Sequence, residues 1–475
     1  MQTECTLKSL KFQGLFNREV VSDFCGGNIT SDGGGLLLRE VSKGKRILSG
    51  FSQCFKDYRN VEKIEHSVDE LVSQRVYGLA LGYEDLNDHD ELRKDYLLST
   101  LVGKKDPTGQ DRKMGKDKGN ALAGKSTLNR LELTPSDASE ESRYKKIVYS
   151  PEMIDKFFIN MFLNSYESSP GWIVLDVDAT DDPTYGNQEG RFFHGYYGHY
   201  CFLPLYIFCE DHLLCARLRP SNIDPAAGVL EELSRIISGI RRRWPGVKII
   251  VRGDSGFCRD YLMNWCESQD RVYYLLGLAK NSRLNRLLSR AMRKAKRRFF
   301  QTEKPARFFR VFTYRTKNSW SRRRRVIGKA EHLSKGANPR FIVSNLPKEF
   351  ASIQELYEKH YCARGDMENR IKEQQLGLFA DRTSTELMRG NQLRLYFSSV
   401  AYVLMSELRR VGLKGTKLAK AQVGTIRTKL FKIGAFVKVS VRRIYVSMSS
   451  SYPYSGLFKK VLDNIRSAYS FPLLD

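Results

Sequence analysis

The sequence has no run of 18 apolar residues, so no membrane-spanning helix is expected. Its first residues, MQTECTLKSLKFQGLF, carry neither the apolar core nor the small-residue cleavage site of a secretory signal. Cysteine is sparse and unpatterned: nine are scattered along 475 residues, with no C-x2-C pair. That argues against a disulfide framework and reads as reduced thiols in a cytosolic protein. No internal repeat is evident. Negative charge is also scarce. There are 53 Asp and Glu against 79 Lys and Arg, a formal net charge of +26. Between residues 281 and 330 there is one acid, Glu303, against 18 Lys and Arg. A surplus of this size points to a polyanion, and nucleic acid is the default partner. The alternatives are a solvated basic surface or an RNA-binding tail attached to another function.

What is present is a globular chain. Hydrophobic residues make up 41%, and the length allows two to four domains with a sizeable core. Residues 31–100 have helical spacing, opened by SDGGGLLLREV, with Ser31 and Asp32 as candidate caps. The polar, Gly- and Lys-rich stretch 102–124 reads as a long loop or a mobile linker. Helical pattern returns at STLNRLE and SPEMIDKFFINMFLNSYE and ends at SSPG, 168–171. The period then changes to that of strands. WIVLDVDAT, two or three strands within FFHGYYGHYCFLPLYIFC and LLCARLRP, VKIIVRGD and RVYYLLGLA are predicted strands. They are interleaved with helices at PAAGVLEELSRIISGIRRRW, amphipathic with a basic end, and CRDYLMNWCES. This is a mixed α/β pattern. The basic window holds further strand-like pieces, RFFRVFTYR, RRRVIGKAEHL and PRFIVSNLP. Two long helices are predicted over 351–378 and 384–411, before a C-terminal stretch that mixes Lys and Arg with aliphatics.

Three motifs carry possible chemistry. GNALAGKS, Gly119–Ser126, fits the P-loop pattern, with Lys125 and Ser126 in the phosphate-binding places. A P-loop needs a buried strand before it, and DRKMGKDK cannot be one. A loop entering a helix is the expected reading, with a nucleic-acid-dependent ATPase as the alternative. His194, His199, Cys201, Cys209 and Cys215 could in principle bind zinc, but they alternate along apparent strands and read as sheet residues. The third motif is a set of carboxylates. Asp176 and Asp178 share one face of a strand, and Asp254 closes another. Buried acids at strand ends are costly unless paired or metal-bound. In YCARGDMENRIKEQQ, offsets of 3, 7 and 11 put Tyr361, Arg364, Glu368 and Lys372 on one helical face. That stripe is either a solvated face with a Glu368–Lys372 pair, or a carboxylate for a metal among cations for a phosphate backbone. Three carboxylates can hold two Mg²⁺ ions, which activate a water or a 3′-hydroxyl for in-line attack on a phosphodiester.

With these residues in place, the chain resembles the DDE transposases of bacterial insertion sequences. VDAT (177–180) matches the strand of the family's first acid and favours Asp178 over Asp176; RGDSGF (252–257) matches the second at Asp254. Tyr361, Arg364 and Glu368 match the signature Y-x2-R-x3-E-x6-K of one branch. Its final lysine position is Gln375 here, with Lys372 on the same helical face. SDGGGLLLRE, HSVDELVSQRVYGLALGYED and ALAGKSTLNRLE extend the resemblance to the N-terminal region, and the last accounts for the P-loop look-alike. The resemblance implies an α/β fold: an RNase H-like core with a β-rich insertion, preceded by a helical domain and followed by a basic region. The implied layout is 1–165 for DNA binding or dimer contact, 171–278 for the first part of the core and 279–348 for the basic insertion. Residues 349–412 would complete the core and 413–475 form the basic C-terminal region. Asp178, Asp254 and Glu368 would be the catalytic metal ligands for two Mg²⁺, with Mn²⁺ as a substitute. Tyr361, Arg364, Lys372 and Arg322, Arg323, Arg324 and Arg325 would contact DNA. Trp320 would either stack on a displaced base or pack in the sheet. The implied function is binding of terminal inverted repeats, strand cleavage and strand transfer by a homodimer on double-stranded DNA in the bacterial cytoplasm, at the nucleoid. A catalytically inactive DNA-binding protein is the remaining alternative.

Overall fold

The run Trp-Ile-Val-Leu-Asp-Val-Asp-Ala alternates bulky side chains between two faces and forms a central strand of a nine-stranded mixed sheet. A computed structural model describes residues 9–469. It divides into two compact units: Tyr149–Ser399, and the residues up to Val148 together with those from Val400.

In the Tyr149–Ser399 unit the strands are β1 (Trp172–Ala179), β2 (Leu205–Cys209), β3 (His212–Arg217), β4 (Lys248–Gly253) and β5 (Val272–Leu278). The basic window contributes β6 (Ala306–Tyr314), β7 (Arg324–Leu333), β8 (Gly336–Ala337) and β9 (Arg340–Ser344). Their spatial order is β3-β2-β1-β4-β5-β9-β7-β6, with β8 paired to β7. The β1–β4 and β4–β5 pairs are parallel and the others antiparallel. Alternation along β4 decides which face each residue serves. Ile249 and Val251 pack with residues of helices α1 (Pro151–Leu163), α2 (Val229–Arg243), α3 (Asp260–Ser268) and α4 (Ser282–Thr302). Ile250 points the other way, into a cluster with Leu275, Ile342, Leu356 and Tyr357.

Residues 279–348 begin with a helix that the strand-like reading of this window did not anticipate. α4 runs for 21 residues, burying Leu284, Leu288, Ala291 and Ala295 on the sheet, with most of its arginines and lysines turned outward. The three strands that follow, at RFFRVFTYR, RRRVIGKAEHL and RFIVS, lie where expected and continue the same sheet. The predicted helix over 351–378 is helical from 353 to 377 but irregular. π-type turns at Leu356–Tyr361 and Glu373–Gly377 and a 3-10 turn at Cys362–Arg364 flank α5, Gly365–Lys372. Local changes of helical pitch of this kind commonly accompany functional sites.

The other unit is mainly helical at its N-terminal side. Helices at Leu36–Lys45, Ile47–Ser52, Val68–Leu81 and Tyr96–Val102 surround buried Leu, Val and Phe side chains. Ser67 and Glu70 form a capping box. Asp32 does not cap with its side chain. Its carboxylate accepts from the Tyr83 hydroxyl at 2.6 Å and lies 2.7 Å from Lys432 Nζ. The glycines of SDGGG allow close backbone packing: a Cβ on Gly34 would lie 1.6 Å from the Leu430 carbonyl oxygen. The C-terminal segment adds the strands Ala435–Val439 and Ile444–Met448, which form a sheet with Ile29–Thr30, and a helix over Ser455–Tyr469. Among the described residues seven cysteines are free thiols and Cys25 is disulfide-bonded, which departs from the expectation of reduced thiols throughout.

Candidate active site

The parallel register of β1 and β4 sets Asp176 beside Arg252 and Val177 beside Gly253. One step further along the chain come Asp178 and Asp254, at the same ends of adjacent strands. Asp176 and Asp178 project from the same face of β1, but their environments differ. Asp176 is buried and bound by both arms of Arg252, at 2.5 and 2.7 Å. The third nitrogen of Arg252 donates to the His360 carbonyl, one residue before Tyr361. Asp176 is therefore the counter-ion of an arginine that joins two strands to the helical segment, which leaves Asp178 as the acid facing open space.

That space is a cavity of about 820 Å³. Asp178, Asp254 and Glu368 all line it, together with Arg364, Lys372 and Gln375. A second cavity of about 540 Å³ shares Asp254 and Arg364 and adds Tyr361 and Lys280. Four residues of the predicted stripe, Tyr361, Arg364, Glu368 and Lys372, thus all reach one cavity or the other. Gln375, in the place of the signature lysine, donates to the Asp181 carbonyl at 2.9 Å and so holds the turn after β1.

Electrostatics distinguish the acids. Asp178 is raised from 3.8 to about 7, first by burial and then by the negative charge of Asp254. Arg364 works against this. Its guanidinium lies 3.9 Å from Asp178 and bonds Glu368 at 2.8 Å. Asp254 also caps the turn that follows it, accepting from the Gly256 amide at 2.8 Å. Among the described residues no three His, Cys, Asp or Glu side chains are gathered tightly enough to hold a metal ion as they stand. Arg364 fills the gap between Asp178 and Glu368. The donor set nonetheless fits a hard divalent cation: all donors are carboxylate oxygens, and two facing acids disfavour joint ionisation without a cation.

Two residues here were not singled out from sequence. Arg252 is one. Gly277 of β5 is the other: a Cβ there would lie 2.5 Å from the Tyr361 hydroxyl and 3.1 Å from the Asp254 carbonyl carbon. The glycine in RVYYLLGLA is the available signal, since an isolated glycine in a strand often marks a close approach.

The basic run divides. Trp320 is only 5% exposed, edge-on to Tyr314 with Arg324 over its ring, so it is a packing tryptophan and not a base-stacking one. Arg324 is buried and bonded to Asp260, Asn264 and Glu267, which removes it from the DNA-contact set. Arg325 is half-buried, with its Nε and Nη2 enclosed. Arg322 and Arg323 are exposed, and Arg323 lines a polar cavity with Arg283, Arg315 and Lys317. The zinc alternative finds no ligand set: Cys201, Cys209 and Cys215 are buried in the sheets, and His199 pairs with Asp181 at 2.8 Å. At Gly119–Ser126 no strand precedes the loop; the Lys125 amide, at the start of its helix, donates to Asp90 at 2.9 Å. The look-alike is a loop entering a helix, as expected.

This is a mixed α/β protein with an acid-lined cavity in a strongly basic chain. The chain belongs to the transposase family described as transposase DDE domain, group 1, whose profile matches residues 12–470. Membership places it among proteins of DNA transposition, implies DNA as partner, and brings the family's general use of divalent metal ions. No curated protein matches the chain. Among the described residues no helix is long and apolar enough to cross a membrane.

Proposed function

We propose that this protein is an active DDE transposase that binds the terminal inverted repeats of its own mobile element, cleaves strands at the element's ends and transfers them to target DNA. The observation that carries this reading is the meeting of Asp178, Asp254 and Glu368 at one cavity, with Asp178 raised to about 7 by burial and by Asp254. The central part of the sheet, with its first acid on β1 and its second after the parallel neighbour β4, supports an RNase H-like core. The five-part domain layout remains part of this proposal.

Asp178, Asp254 and Glu368 would hold Mg²⁺, with Mn²⁺ as a substitute. The metal, when bound, supplies activation of the attacking oxygen and stabilisation of the leaving one. The chain's own residues do the rest. Arg364, which lines both cavities, and Tyr361, which lines the second, take the phosphates flanking the cut. Lys372 adds a cation to the cavity wall, and Gln375 fixes the turn beside Asp178. Arg322 and Arg323 engage the backbone farther away, in a salt-dependent way. Two ends must be joined in one reaction, so a homodimer on paired ends is proposed, acting at the bacterial nucleoid.

The test uses a supercoiled plasmid carrying this gene with its flanks, the purified protein, Mg²⁺ or EDTA, and Asp254→Asn. Cleavage at the element's ends that is lost with EDTA and in the variant is the expected result. Tight binding without cleavage under any metal would overturn the catalytic reading in favour of an inactive DNA-binding protein.

A further inference from the structure

Burying Trp320 leaves the basic window without its candidate stacking side chain, but exposed aromatics occur elsewhere. Residues Asp182–Pro183, Phe192–His194 and His199–Phe202 form a small antiparallel sheet directly after β1. It carries Tyr185, Phe193, Tyr196 and Tyr200 in exposed positions; Tyr185 and Tyr196 are 91% and 86% exposed. A soluble domain ordinarily hides such side chains, and a cluster of them marks a binding surface. Their placement is ordered. Phe193 and Tyr200 are cross-strand partners with ring centroids 5.6 Å apart. The Arg191 guanidinium lies 4.7 Å from the centroid of the Tyr200 ring. The hairpin turn Gly195–Gly198 presents Tyr196 edge-on to Tyr197 at 5.0 Å, and both tyrosines line the cavity that holds Asp178, Asp254 and Glu368. Tyr196 and Tyr197 are thus part of the wall of the candidate active site, whereas Phe193 and Tyr200, which alternate along their strands with the cavity-lining His194 and with His199, stand on the other face of the hairpin.

We infer that this hairpin is a stacking platform for unpaired nucleobases, with Tyr196 as its principal contact at the cavity mouth and the Arg191–Tyr200–Phe193 group as a second, separate contact on its other face. The inference rests on the DNA-cleaving reading above, and it names the substrate form: strand ends that have left the duplex. A flat ring accepts any base face, so the platform needs no particular sequence, and a nearby guanidinium adds attraction for rings and phosphates alike. An intact duplex offers no such face along its length, because its bases are already stacked. The platform therefore discriminates single-stranded from double-stranded DNA.

The test measures equilibrium binding of the full-length protein in EDTA to a fluorescent 20-nucleotide oligo-dT and to a 20-base-pair duplex. The proteins compared are wild type, Tyr196→Ala and Tyr196→Phe. The expected result is that Tyr196→Ala weakens oligo-dT binding about tenfold, the loss of about one base stack. Tyr196→Phe keeps wild-type affinity, and all three proteins bind the duplex within about twofold of one another. Wild-type oligo-dT affinity in Tyr196→Ala, an equal loss on both DNAs, or no oligo-dT binding by wild type would each overturn the inference. Tryptophan emission reports folding of the unit in each variant, since Trp172, Trp244, Trp265 and Trp320 all lie within it. No cleavage is needed, so failure of the catalytic reading and failure of the platform give different results.

Discussion

Replacing Asp178 by asparagine should make the metal-free protein more stable, and the gain should grow with pH. The carboxyl is raised from 3.8 to about 7 in the folded chain by burial and by Asp254. Below pH 4 it is protonated folded or unfolded and contributes nothing. Between pH 4 and 7 unfolding releases its proton, so stability falls as pH rises. Above pH 7 the whole penalty is present. A shift of about three units at 1.36 kcal/mol each sets that penalty at about 4 kcal/mol, and at pH 5 it is about 2 kcal/mol. The asparagine side chain keeps an oxygen to accept from the Ala179 amide, as Asp178 does at 3.0 Å, and carries no charge to desolvate. The assay is urea unfolding in EDTA at pH 8 and pH 5, followed by tryptophan emission, which reports only the unit containing the cavity. The asparagine variant should gain about 2 kcal/mol more at pH 8 than at pH 5, while losing all cleavage with Mg²⁺. A gain that is the same at both pH values, or a loss of stability at pH 8, would refute the electrostatic reasoning.

Three other outcomes follow from the packing. Gly277→Ala should cut cleavage at least tenfold with duplex binding unchanged, because its Cβ displaces the Tyr361 hydroxyl and the Asp254 backbone; nicking and gel-shift assays on the same preparation separate the two. Trp320→Ala should cost about 3–5 kcal/mol in urea unfolding, as for other large core truncations, while cleavage per folded molecule stays at the wild-type level. Gly34→Ala should leave little soluble protein on expression, because its Cβ would overlap the Leu430 carbonyl.

The strand ends were legible in the sequence because the information there is local. Period-two alternation in WIVLDVDAT and VKIIVRGD marks both strands, and a carboxylate at the close of each is visible without knowing their neighbours. The Tyr361–Lys372 stripe was legible for the same reason, and it survives the π and 3-10 turns around α5. What stayed hidden depends on pairing. Nothing near Asp176 says that Arg252, 76 residues on, will neutralise it; the register of two parallel strands decides that. Trp320 and Arg324 look exposed in a run of arginines, yet α3 supplies Asp260 and Glu267 to bury them. Helix α4 was hidden by its composition: Leu284, Leu288, Ala291 and Ala295 keep helical spacing, but the surrounding cations mask it.

The basic window does not hang from the core as a separate lobe, because its strands extend the sheet whose central strands β1 and β4 carry the carboxylates at their ends. From β4 to β6 there are four strand steps, about 19 Å at the usual 4.8 Å spacing. At 3.4 Å per step, that is about the rise of six base pairs. A hydrogen-bonded sheet does not stretch, so under the proposed DNA-cleaving reading it would act as a ruler. For DNA lying across the strands, the offset between any contact on the outer strand and a cut at the carboxylates would be set by the number of strands, and a change in that offset would require a strand to be added or removed.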